Sequence, residues 1–511
     1  MSATTPRPDA IVVGAGHNGL VAAAYLARAG RRVLVLERRE WPGGQLAPNT
    51  FAPGFLVPAL HASARLRPDI VRDLDLARHG LVVEEPAVAP YLSILPGGEF
   101  LRLTTSGRDP ETLSSIRRLS ARDAERWPEF VVFMDAAAGF LDAAYRTPMP
   151  RMSRSALRFE GRPLASLLLK LRRLGRRDMF GVIRSFTMTA REFTEGWFES
   201  EPLRAALGAL AVHGVTLGPF SAGTGFTLIH NWLNRDGLAH RGRPGEATRI
   251  VEALVACLRA HGGELRTSTA VTQIVTDCQQ VKGVRLATGE DIPSTTVLSA
   301  ADPRHTLLGL VGAPELPPDF VWQAQSIRMR GSVVKVHLLT DGQHGIPDGT
   351  LVVAPTLRYL ERAYDAAKYG EISAQPCLEV TIAGEVVSIH FQYAPHRLRQ
   401  GDWSTARPAV EQLAIDTLAG HFPALRGSVR EVRSITPQDL ETDWGLTEGD
   451  LNHGQPILDQ LLFMRPMPGW SDHRTPVDGL YLCGSGVHGG GGISGAAGRN
   501  AARVVLKHDR R

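Results

Sequence analysis

The amino-acid sequence predicts an α/β fold, and three observations support that prediction. A glycine-rich loop lies between an apolar segment and an alanine-rich segment within the first fifty residues. A second glycine-rich loop lies between an apolar segment and a helical pattern close to the end of the chain. The chain has 511 residues, more than one ordinary hydrophobic core contains. Together they predict a Rossmann-like domain of discontinuous segments, joined to a second α+β domain and a helical region.

The first glycine-rich loop has the order of a strand, a turn, a helix and a second parallel strand. Ala10–Val13 is apolar, Gly14–Gly19 has the pattern Gly-x-Gly-x-x-Gly, and Val33–Leu36 is again apolar. Glu37 ends the second apolar run, eighteen residues after the last glycine. An acidic side chain at that point accepts hydrogen bonds from a ribose diol, so the unit predicts a site for an adenine dinucleotide.

Each glycine of this loop has a predicted task. Gly14 permits the tight turn, Gly16 lets the backbone approach a pyrophosphate, and Gly19 lets the helix pack against the strand. The N-terminus of the helix, which includes Asn18, then faces the phosphates.

The residues after Glu37 favour FAD over NAD as the dinucleotide. Arg38 is followed by a second glycine pair, Gly43 and Gly44, and then by Gln45. Glycines at this point let the chain pass close to an extended cofactor whose flavin end lies further into the protein. We therefore expect this segment to contact FAD.

The C-terminal glycine-rich loop predicts a second cradle for the same cofactor. Gly479–Ser485 has the pattern of a strand that ends in a turn, and six glycines follow within residues 486–495. Ordering so many glycines costs chain entropy, which is expected only where backbone approaches a ligand closely. We expect Gly484 and Ser485 to contact the cofactor. A strand ending at Ala300 is expected to return the chain to the same domain.

Composition and charge exclude several classes of function. The chain has 57 basic and 52 acidic residues, a net charge of +5, and no basic motif interleaved with aromatic residues, which argues against nucleic acid as a partner. The four cysteines form neither a Cys-x-x-Cys pair nor a metal-ligand cluster: Cys257, Cys278, Cys377 and Cys483. We expect no metal and no dithiol redox centre. A reducing cytoplasm fits this cysteine usage, and the first nine residues lack the apolar core of a signal peptide.

The chain divides into three regions by pattern. We predict that residues 1–107, 236–302 and 470–511 form the FAD-binding domain. Residues 108–235 have mostly helical patterns, and residues 303–469 are rich in strand patterns. The strand-rich region is the predicted substrate domain.

Residues 151–191 form a basic segment with eleven basic and two acidic side chains. Its leucines recur at helical spacing and form an apolar stripe beside a cationic face: Leu164, Leu167, Leu168, Leu171 and Leu174. One interpretation is peripheral contact with an anionic membrane surface. The other is a helix that packs its leucines on the domain and leaves its arginines in solvent.

One uncharged stretch, Ala205–Ile229, is long enough to span a bilayer. It contains Pro219 and several glycines, which make it a poor membrane helix. We expect it to be buried and irregular, and to line a cavity.

Three motifs together resemble one family. They are the opening IVVGAGHNGLVAAAYLARAG, the phrase Trp197–Leu203, and the ending TPVDGLYLCGSGVHGGGGISGAAGRNAA. They are similar to the phytoene desaturase-type flavoproteins of the wider amine-oxidase-like superfamily, and most similar to the branch of pyridine nucleotide-disulphide oxidoreductase domain-containing protein two. The resemblance covers nearly the whole chain. It implies bound FAD, a two-domain fold, and oxidation or desaturation of a largely apolar small molecule.

The resemblance also assigns individual residues to FAD. It adds Val271, through its backbone to adenine, and the turn Gly491-Gly492-Ile493 to the positions already named. The chain departs from the family pattern at Arg241–Glu246, at His488-Gly489 and at Gln45. These departures concern the identity of the substrate more than the binding of FAD.

Candidate catalytic residues come from the strand-rich region and the loops near FAD. Lys335 lies on a half-buried strand with His337 on the same face. The resemblance to amine oxidases implies that it holds a water near the flavin, and the alternative is a lysine in solvent at a sheet edge. His488 is expected to contact the flavin ring or the substrate, or else to cap its own loop. His61 is expected to face the cavity. Four further residues are weaker cavity candidates, for which core packing is the alternative: His213, His230, His390 and Trp470.

These features lead to one main hypothesis for the function and two alternatives. The main hypothesis is an FAD-dependent oxidoreductase, a dehydrogenase, desaturase or oxidase, that transfers a hydride from a hydrophobic small molecule to flavin N5. A redox-neutral flavin-dependent isomerase would use the same site. A non-catalytic, flavin-stabilised membrane-surface or binding protein would use the basic segment 151–191. The substrate, the electron acceptor and the oligomeric state are left open by the sequence.

Overall fold

The computed structural model describes residues 7–52, 55–58, 60, 65–82, 89–149, 162–235, 238 and 246–508. His61, residues 151–161 and most of the departure at Arg241–Glu246 lie outside these described residues.

The strands of the described residues are numbered here in chain order. They are β1 (Ala10–Val13), β2 (Val33–Leu36), β3 (Pro48–Ala52), β4 (Phe55–Pro58), β5 (Tyr91–Ile94), β6 (Phe100–Leu103), β7 (Glu264–Arg266), β8 (Val271–Asp277), β9 (Gln280–Leu286), β10 (Asp291–Pro293), β11 (Val297–Ser299), β12 (Val333–Thr340), β13 (Thr350–Val353), β14 (Cys377–Ala383), β15 (Val386–Gln392), β16 (Val429–Ile435) and β17 (Leu480–Leu482).

The α-helices are numbered in the same way. They are α1 (His17–Arg28), α2 (Pro68–Asp73), α3 (Pro110–Arg117), α4 (Ala121–Tyr145), α5 (Arg162–Arg173), α6 (Gly175–Ser185), α7 (Ala190–Glu195), α8 (Glu201–Val212), α9 (Thr224–Asn234), α10 (Glu246–Ala260), α11 (Pro318–Gln325), α12 (Leu357–Lys368), α13 (Trp403–Ala419), α14 (Leu425–Ser428), α15 (Pro437–Thr442) and α16 (Ala496–His508).

A five-stranded parallel sheet forms the centre of the predicted Rossmann-like domain. Its strand order is β17-β11-β1-β2-β7, so the consecutive strands β1 and β2 are flanked by strands from distant parts of the sequence. Every residue of β1 and β2 is buried, because both faces of the sheet are covered. Helices α1, α10 and α16 cover one face, and the three-stranded sheet β10-β9-β8 packs on the other. The α/β fold and its Rossmann-like domain are therefore confirmed.

Helix α1 packs between the C-terminal helix α16 and helix α10. The approach to α16 is close, because a Cβ atom at Gly498 would lie 2.0 Å from the Asn18 carbonyl oxygen. The two glycine-rich ends of the chain are thus joined directly behind the parallel sheet.

A seven-stranded mixed sheet forms the second layer, with the order β16-β12-β15-β14-β13-β5-β6. One face is apolar and packs against α13 through side chains that include Val336, Ile389 and Val380. β5 and β6 were placed in the FAD-binding region 1–107 by the sequence, but they join this sheet because β5 pairs in parallel with β13, Tyr91 opposite Thr350. Sequence pattern identifies a buried strand without saying which sheet receives it.

The region 108–235 is helical in its described part, and its core is aromatic. Trp127 and Phe130 of α4 are fully buried, and their ring centroids lie 5.5 Å apart. The stretch Ala205–Ile229 is buried, but it is mostly helical rather than irregular, because α8 and α9 occupy most of it. Helix formation pairs backbone groups that burial would otherwise leave without hydrogen bonds. None of the helices in the described residues has both the length and the hydropathy needed to cross a bilayer.

Helices α5 and α6 lie in the basic segment, and their leucines divide between two faces. Leu164, Leu167, Leu171 and Leu174 contact the helical core. Leu168, which the sequence pattern assigned to the same stripe, is 67% exposed.

Candidate functional site

The turn after β1 depends on glycine at two positions. Gly14 has φ +94°, a left-handed conformation that favours glycine, and its N–H donates to the Leu36 carbonyl oxygen at 2.8 Å. A Cβ atom at Gly19 would lie 2.2 Å from the Gly14 carbonyl oxygen. Any side chain at residue 19 would therefore push α1 away from the turn.

The second glycine pair sits directly on the first glycine-rich loop. The Gly43 N–H donates to the Ala15 carbonyl oxygen at 2.9 Å, and Gly43 and Gly16 form a parallel bridge. A Cβ atom at Gly44 would lie 3.0 Å from the Gly16 Cα atom. Two backbone segments without side chains are therefore in contact at the position where a dinucleotide would bind.

A cavity of about 340 Å³ runs beside these loops. Twelve of the sixteen residues predicted to bind FAD line it: Gly14, Gly16, Asn18, Gly19, Glu37, Arg38, Gly44, Gln45, Val271, Ala300, Gly484 and Ser485. The cavity is bounded by segments from β1, β2, β8 and β11 and from the turn after β17, so it exists only in the folded chain.

Four of the predicted residues lie outside the cavity lining. Gly43 is immediately behind it, and Gly491 passes over a buried histidine ring, since its Cβ atom would lie 2.6 Å from His230 Cε1. The backbone of Gly492 hydrogen-bonds the His17 ring, which does line the cavity. Ile493 is buried in the core of the parallel-sheet domain. Their assignment to FAD stays a prediction.

Glu37 marks one end of the cavity. One carboxylate oxygen accepts from the Ala15 N–H at 2.8 Å and the other from the Arg39 N–H at 3.0 Å. Each oxygen keeps a second lone pair, which is what a ribose diol requires. Val271 lines the cavity as well, and the Arg38 guanidinium is anchored 2.8 Å from the Asp443 carbonyl oxygen.

Asn18 joins the two glycine-rich loops through its side-chain amide. Its Nδ2 lies 3.1 Å from the Ser485 Oγ and 3.0 Å from His17 Nε2, and its Oδ1 accepts from the Gly498 N–H at 3.3 Å. Because Asn18 Nδ2 can only donate, His17 Nε2 accepts, and the ring is neutral. Burial agrees with this, since it lowers the pKa of His17 to about 4. The phosphate end of the cavity is therefore held by a fully paired neutral network.

These residues fit FAD by their shape and chemistry. Side chains are excluded by contact at Gly19 and Gly44, a carboxylate stands at the ribose position, and the N-terminus of α1 faces the cavity. Gln45, His453 and Ser485 also line the cavity.

His488 and His230 are held away from the cavity lining. The His488 Nε2 lies 3.1 Å from the Ala144 carbonyl oxygen and 3.0 Å from that of Thr147, so the ring ties its loop to the end of α4. His230 lies 2.7 Å from the Tyr145 hydroxyl, and burial lowers its pKa to about 3. Trp470 packs against Phe320 at 4.8 Å between ring centroids. A catalytic role for His488 stays a prediction.

Lys335 belongs to a polar row on the second sheet. The registers β12–β15 and β15–β14 place Lys335, His390 and Glu379 side by side on the face opposite to the apolar one. We call these three residues the polar row. Burial lowers the pKa of Lys335 to about 8.

Two residues from the helical region cover the polar row. The Arg235 guanidinium binds both oxygens of Glu379 at 2.7 Å, and His213 Nδ1 lies 3.3 Å from the same carboxylate. The His213 and His390 rings stack at 4.1 Å. The charge of Arg235 and the hydrogen bonds from Arg235 and His213 hold the pKa of Glu379 below its usual range despite its burial.

Three residues of this site were not predicted from the sequence: Arg235, Glu379 and Gln392. Alternation in β14 and β15 places Glu379 and Gln392 on the polar face, and this signal was available. Arg235 follows α9 and has no local pattern to mark it, since only the tertiary fold brings it to Glu379.

A glycine-lined dinucleotide cavity beside a mixed sheet with a buried polar face defines a two-domain flavoprotein oxidoreductase. The sequence pattern of the family of flavin containing amine oxidoreductases matches residues 94–506. The pattern of the NAD(P)-binding Rossmann-like domain matches residues 12–67. The chain belongs to the flavin containing amine oxidoreductase family, and it is an FAD-dependent oxidoreductase.

Individual relatives support the same assignment. The chain is 34% identical to pyridine nucleotide-disulfide oxidoreductase domain-containing protein 2 of Rattus norvegicus, over 98% of this chain and 94% of the relative. It is 25% identical to a lycopene-forming phytoene desaturase of Paracoccus, over 99% of both chains. The fold matches the crystal structure of an oxidoreductase from Methanosarcina mazei with a TM-score of 0.60 at 16% identity, over 98% of this chain and 99% of that one. The resemblance inferred from the sequence motifs is confirmed.

Proposed function

We propose that the protein dehydrogenates a largely hydrophobic small molecule that binds between the two sheets. The observation that supports this is a direct connection between the dinucleotide cavity and the polar row through the segment 450–455. His453 of this segment lines the cavity, and Gln45, which also lines it, donates to the Leu451 carbonyl oxygen at 2.7 Å. Asn452 donates to the Gly214 carbonyl oxygen at 2.7 Å, next to His213, which contacts Glu379 of the polar row.

Bound FAD supplies a two-electron acceptor that takes a hydride at N5. The residues of the chain position the reactants and exclude water. Apolar side chains of the helical region form the side of the proposed substrate site that excludes water, and the polar row supplies buried polar groups next to it. The name of the Paracoccus relative, a desaturase, supports removal of hydrogen from a carbon chain.

Anaerobic incubation of the FAD-loaded enzyme with candidate hydrophobic substrates tests the proposal. A dehydrogenase bleaches its flavin absorbance in one turnover, and oxygen or a quinone then restores it. Product formed without net bleaching would instead support a redox-neutral isomerase. A hydrophobic panel that neither bleaches the flavin nor is converted would contradict the proposal.

We also propose that α5 and α6 rest on an anionic membrane surface. Four large apolar side chains are exposed on these two helices: Leu168 at 67%, Leu169 at 57%, Phe180 at 50% and Ile183 at 47%. Residues 162–185 contain seven basic side chains and one acidic one. Exposed apolar groups flanked by cations match the interface of an anionic bilayer, where a hydrophobic substrate would also reside.

Vesicle flotation tests the membrane proposal. We expect the protein to float with phosphatidylcholine vesicles that contain phosphatidylglycerol, and to float less without it or in high salt. Leu168→Gln with Phe180→Gln should abolish flotation, whereas Trp322→Gln, at a residue 69% exposed elsewhere, should not. Equal flotation of the double variant and the control would contradict the proposal.

A further inference from the structure

The polar row contains a hydrogen-bond acceptor without a partner, the Nδ1 atom of His390. The surrounding contacts define the tautomer of this ring. Gln392 donates from Nε2 to the Val215 carbonyl oxygen at 2.7 Å, and its Oε1 accepts from the Gly214 N–H at 3.0 Å, so the amide orientation is fixed. His390 Nε2 lies 2.9 Å from that Oε1 and must therefore carry the hydrogen. His390 Nδ1 is left with a lone pair.

This lone pair is buried and has no hydrogen-bond partner among the residues described. His390 is 5% exposed. A buried acceptor without a partner is destabilising, so a donor from outside the chain is expected to occupy the position.

Lys335 lies opposite His390 in the strand register and its charge acts on the His390 ring, so its ammonium is the complementary group. Its ammonium is within reach of the Glu379 and Arg235 charges, but no carboxylate oxygen in the described part of the chain lies within 4.0 Å of it. Arg235 is already paired with Glu379 through two hydrogen bonds. The polar row together with Arg235 and His213 therefore has one excess positive charge, and it places an ammonium donor and an imidazole acceptor on neighbouring strands.

A positively charged donor and a neutral acceptor at one site favour some functional groups of a ligand over others. A carboxylate would bring its own lone pairs against His390 Nδ1, and a protonated amine would be repelled by Lys335. A hydroxyl group satisfies both partners, because its oxygen accepts from Lys335 and its hydrogen is donated to His390.

We propose that Lys335 and His390 bind a hydroxyl group of the hydrophobic substrate. The proposal rests on the proposed function, and it narrows the substrate class to a hydrophobic alcohol, with the polar row as the anchor for its oxygen. His213, stacked on His390 and bonded to Glu379, positions the acceptor ring.

The test compares three ligands of equal chain length on the FAD-loaded enzyme by isothermal titration calorimetry at pH 7: octan-1-ol, octylamine and octanoate. We expect octan-1-ol to bind at least about tenfold more tightly than either charged analogue, because a site built for a hydroxyl leaves buried groups unpaired with the others. Equal binding of all three, or no binding of octan-1-ol, would overturn the proposal.

Two substitutions of His390 distinguish the loss of the Nδ1 acceptor from a general effect on folding. His390→Gln keeps a donor near the Nε2 position and removes the Nδ1 acceptor, whereas His390→Asn keeps an acceptor near Nδ1. We expect about tenfold weaker octan-1-ol binding for the glutamine variant and less than half that loss for the asparagine variant. His337→Asn, two residues from Lys335 on the same face, serves as the matched control and should bind as the wild type does.

Lys335→Met should change the affinity for octylamine in the direction opposite to the change for octan-1-ol. It removes the donor and the positive charge, so octan-1-ol should bind more weakly and octylamine more tightly. If Lys335→Met and His390→Gln alter thermal stability but leave the order of the three affinities unchanged, the row binds only structural water and the proposal fails.

Flavin absorbance recorded anaerobically in the same samples distinguishes this inference from the proposed function. Selective binding of octan-1-ol without bleaching supports the hydroxyl site and leaves dehydrogenation to be sought with other alcohols. Bleaching by a hydrocarbon without selective alcohol binding supports dehydrogenation and overturns the hydroxyl site.

Discussion

At the scale of single residues, the side-chain amide of Asn18 connects the two glycine-rich ends of the chain through hydrogen bonds. Asn18→Ala removes the bonds to Ser485 and Gly498, and we expect about tenfold weaker FAD binding. Asn18→Asp should weaken it further, because a carboxylate cannot donate and adds negative charge where the pyrophosphate is expected. Fluorescence titration of the apoprotein with FAD measures both affinities, and wild-type affinity in both variants would contradict the role given to Asn18.

Lys335 makes the stability of the protein depend on pH. Its pKa is lowered from 10.5 in the unfolded chain to about 8 in the fold, so the unfolded state binds more protons between these values. Stability therefore rises as pH increases from about 8 to 10.5. Lys335→Met should be more stable than the wild type at pH 7, by roughly 1–3 kcal/mol for a partly buried amine.

Thermal unfolding of both proteins at pH 7 and pH 10 checks the Lys335 prediction. The advantage of Lys335→Met should shrink at the higher pH, where the lysine is neutral in the fold. A constant difference would show that packing, rather than charge burial, separates the two proteins.

At the scale of elements, the contact between β1 and α1 requires glycine at residue 19. Gly19→Ala places a Cβ atom 2.2 Å from the Gly14 carbonyl oxygen, so α1 must move away from the turn. We expect loss of FAD retention during purification and a lower melting temperature. Gly139→Ala is the matched control: it lies inside α4 with nothing within 4 Å of the added Cβ atom, and it should be neutral or stabilising by up to about 1 kcal/mol.

At the scale of the whole molecule, the FAD cavity couples distant segments of the chain. Its lining combines residues from the first fifty positions with Ala300, Thr447 and Ser485. FAD should therefore stabilise the complete fold, by about 2.7 kcal/mol at a free concentration one hundred times the dissociation constant. Melting temperatures of the apoprotein over an FAD titration measure this effect. A melting temperature that does not respond to FAD would contradict the coupling.

The sequence by itself determined the parts of the protein that depend on short-range pattern. The glycine spacing from Gly14 to Gly19, the acidic Glu37 and the glycines after Leu482 fixed the nature of the cofactor site, because backbone close approach demands glycine locally. Twelve of the predicted FAD residues line one cavity. The motifs also identified the family.

Only the tertiary structure decided which distant residues meet. The polar row depends on the register of three strands, and Arg235 reaches Glu379 across 144 positions of sequence. The same holds for β5, which joins the second sheet through its pairing with β13 rather than remaining with the FAD-binding segments. Strand alternation specifies the face of a residue but not its neighbours, since pairing between strands is set by packing of the complete core. The cofactor could therefore be predicted from local pattern, whereas the contacts that assemble the polar row could not.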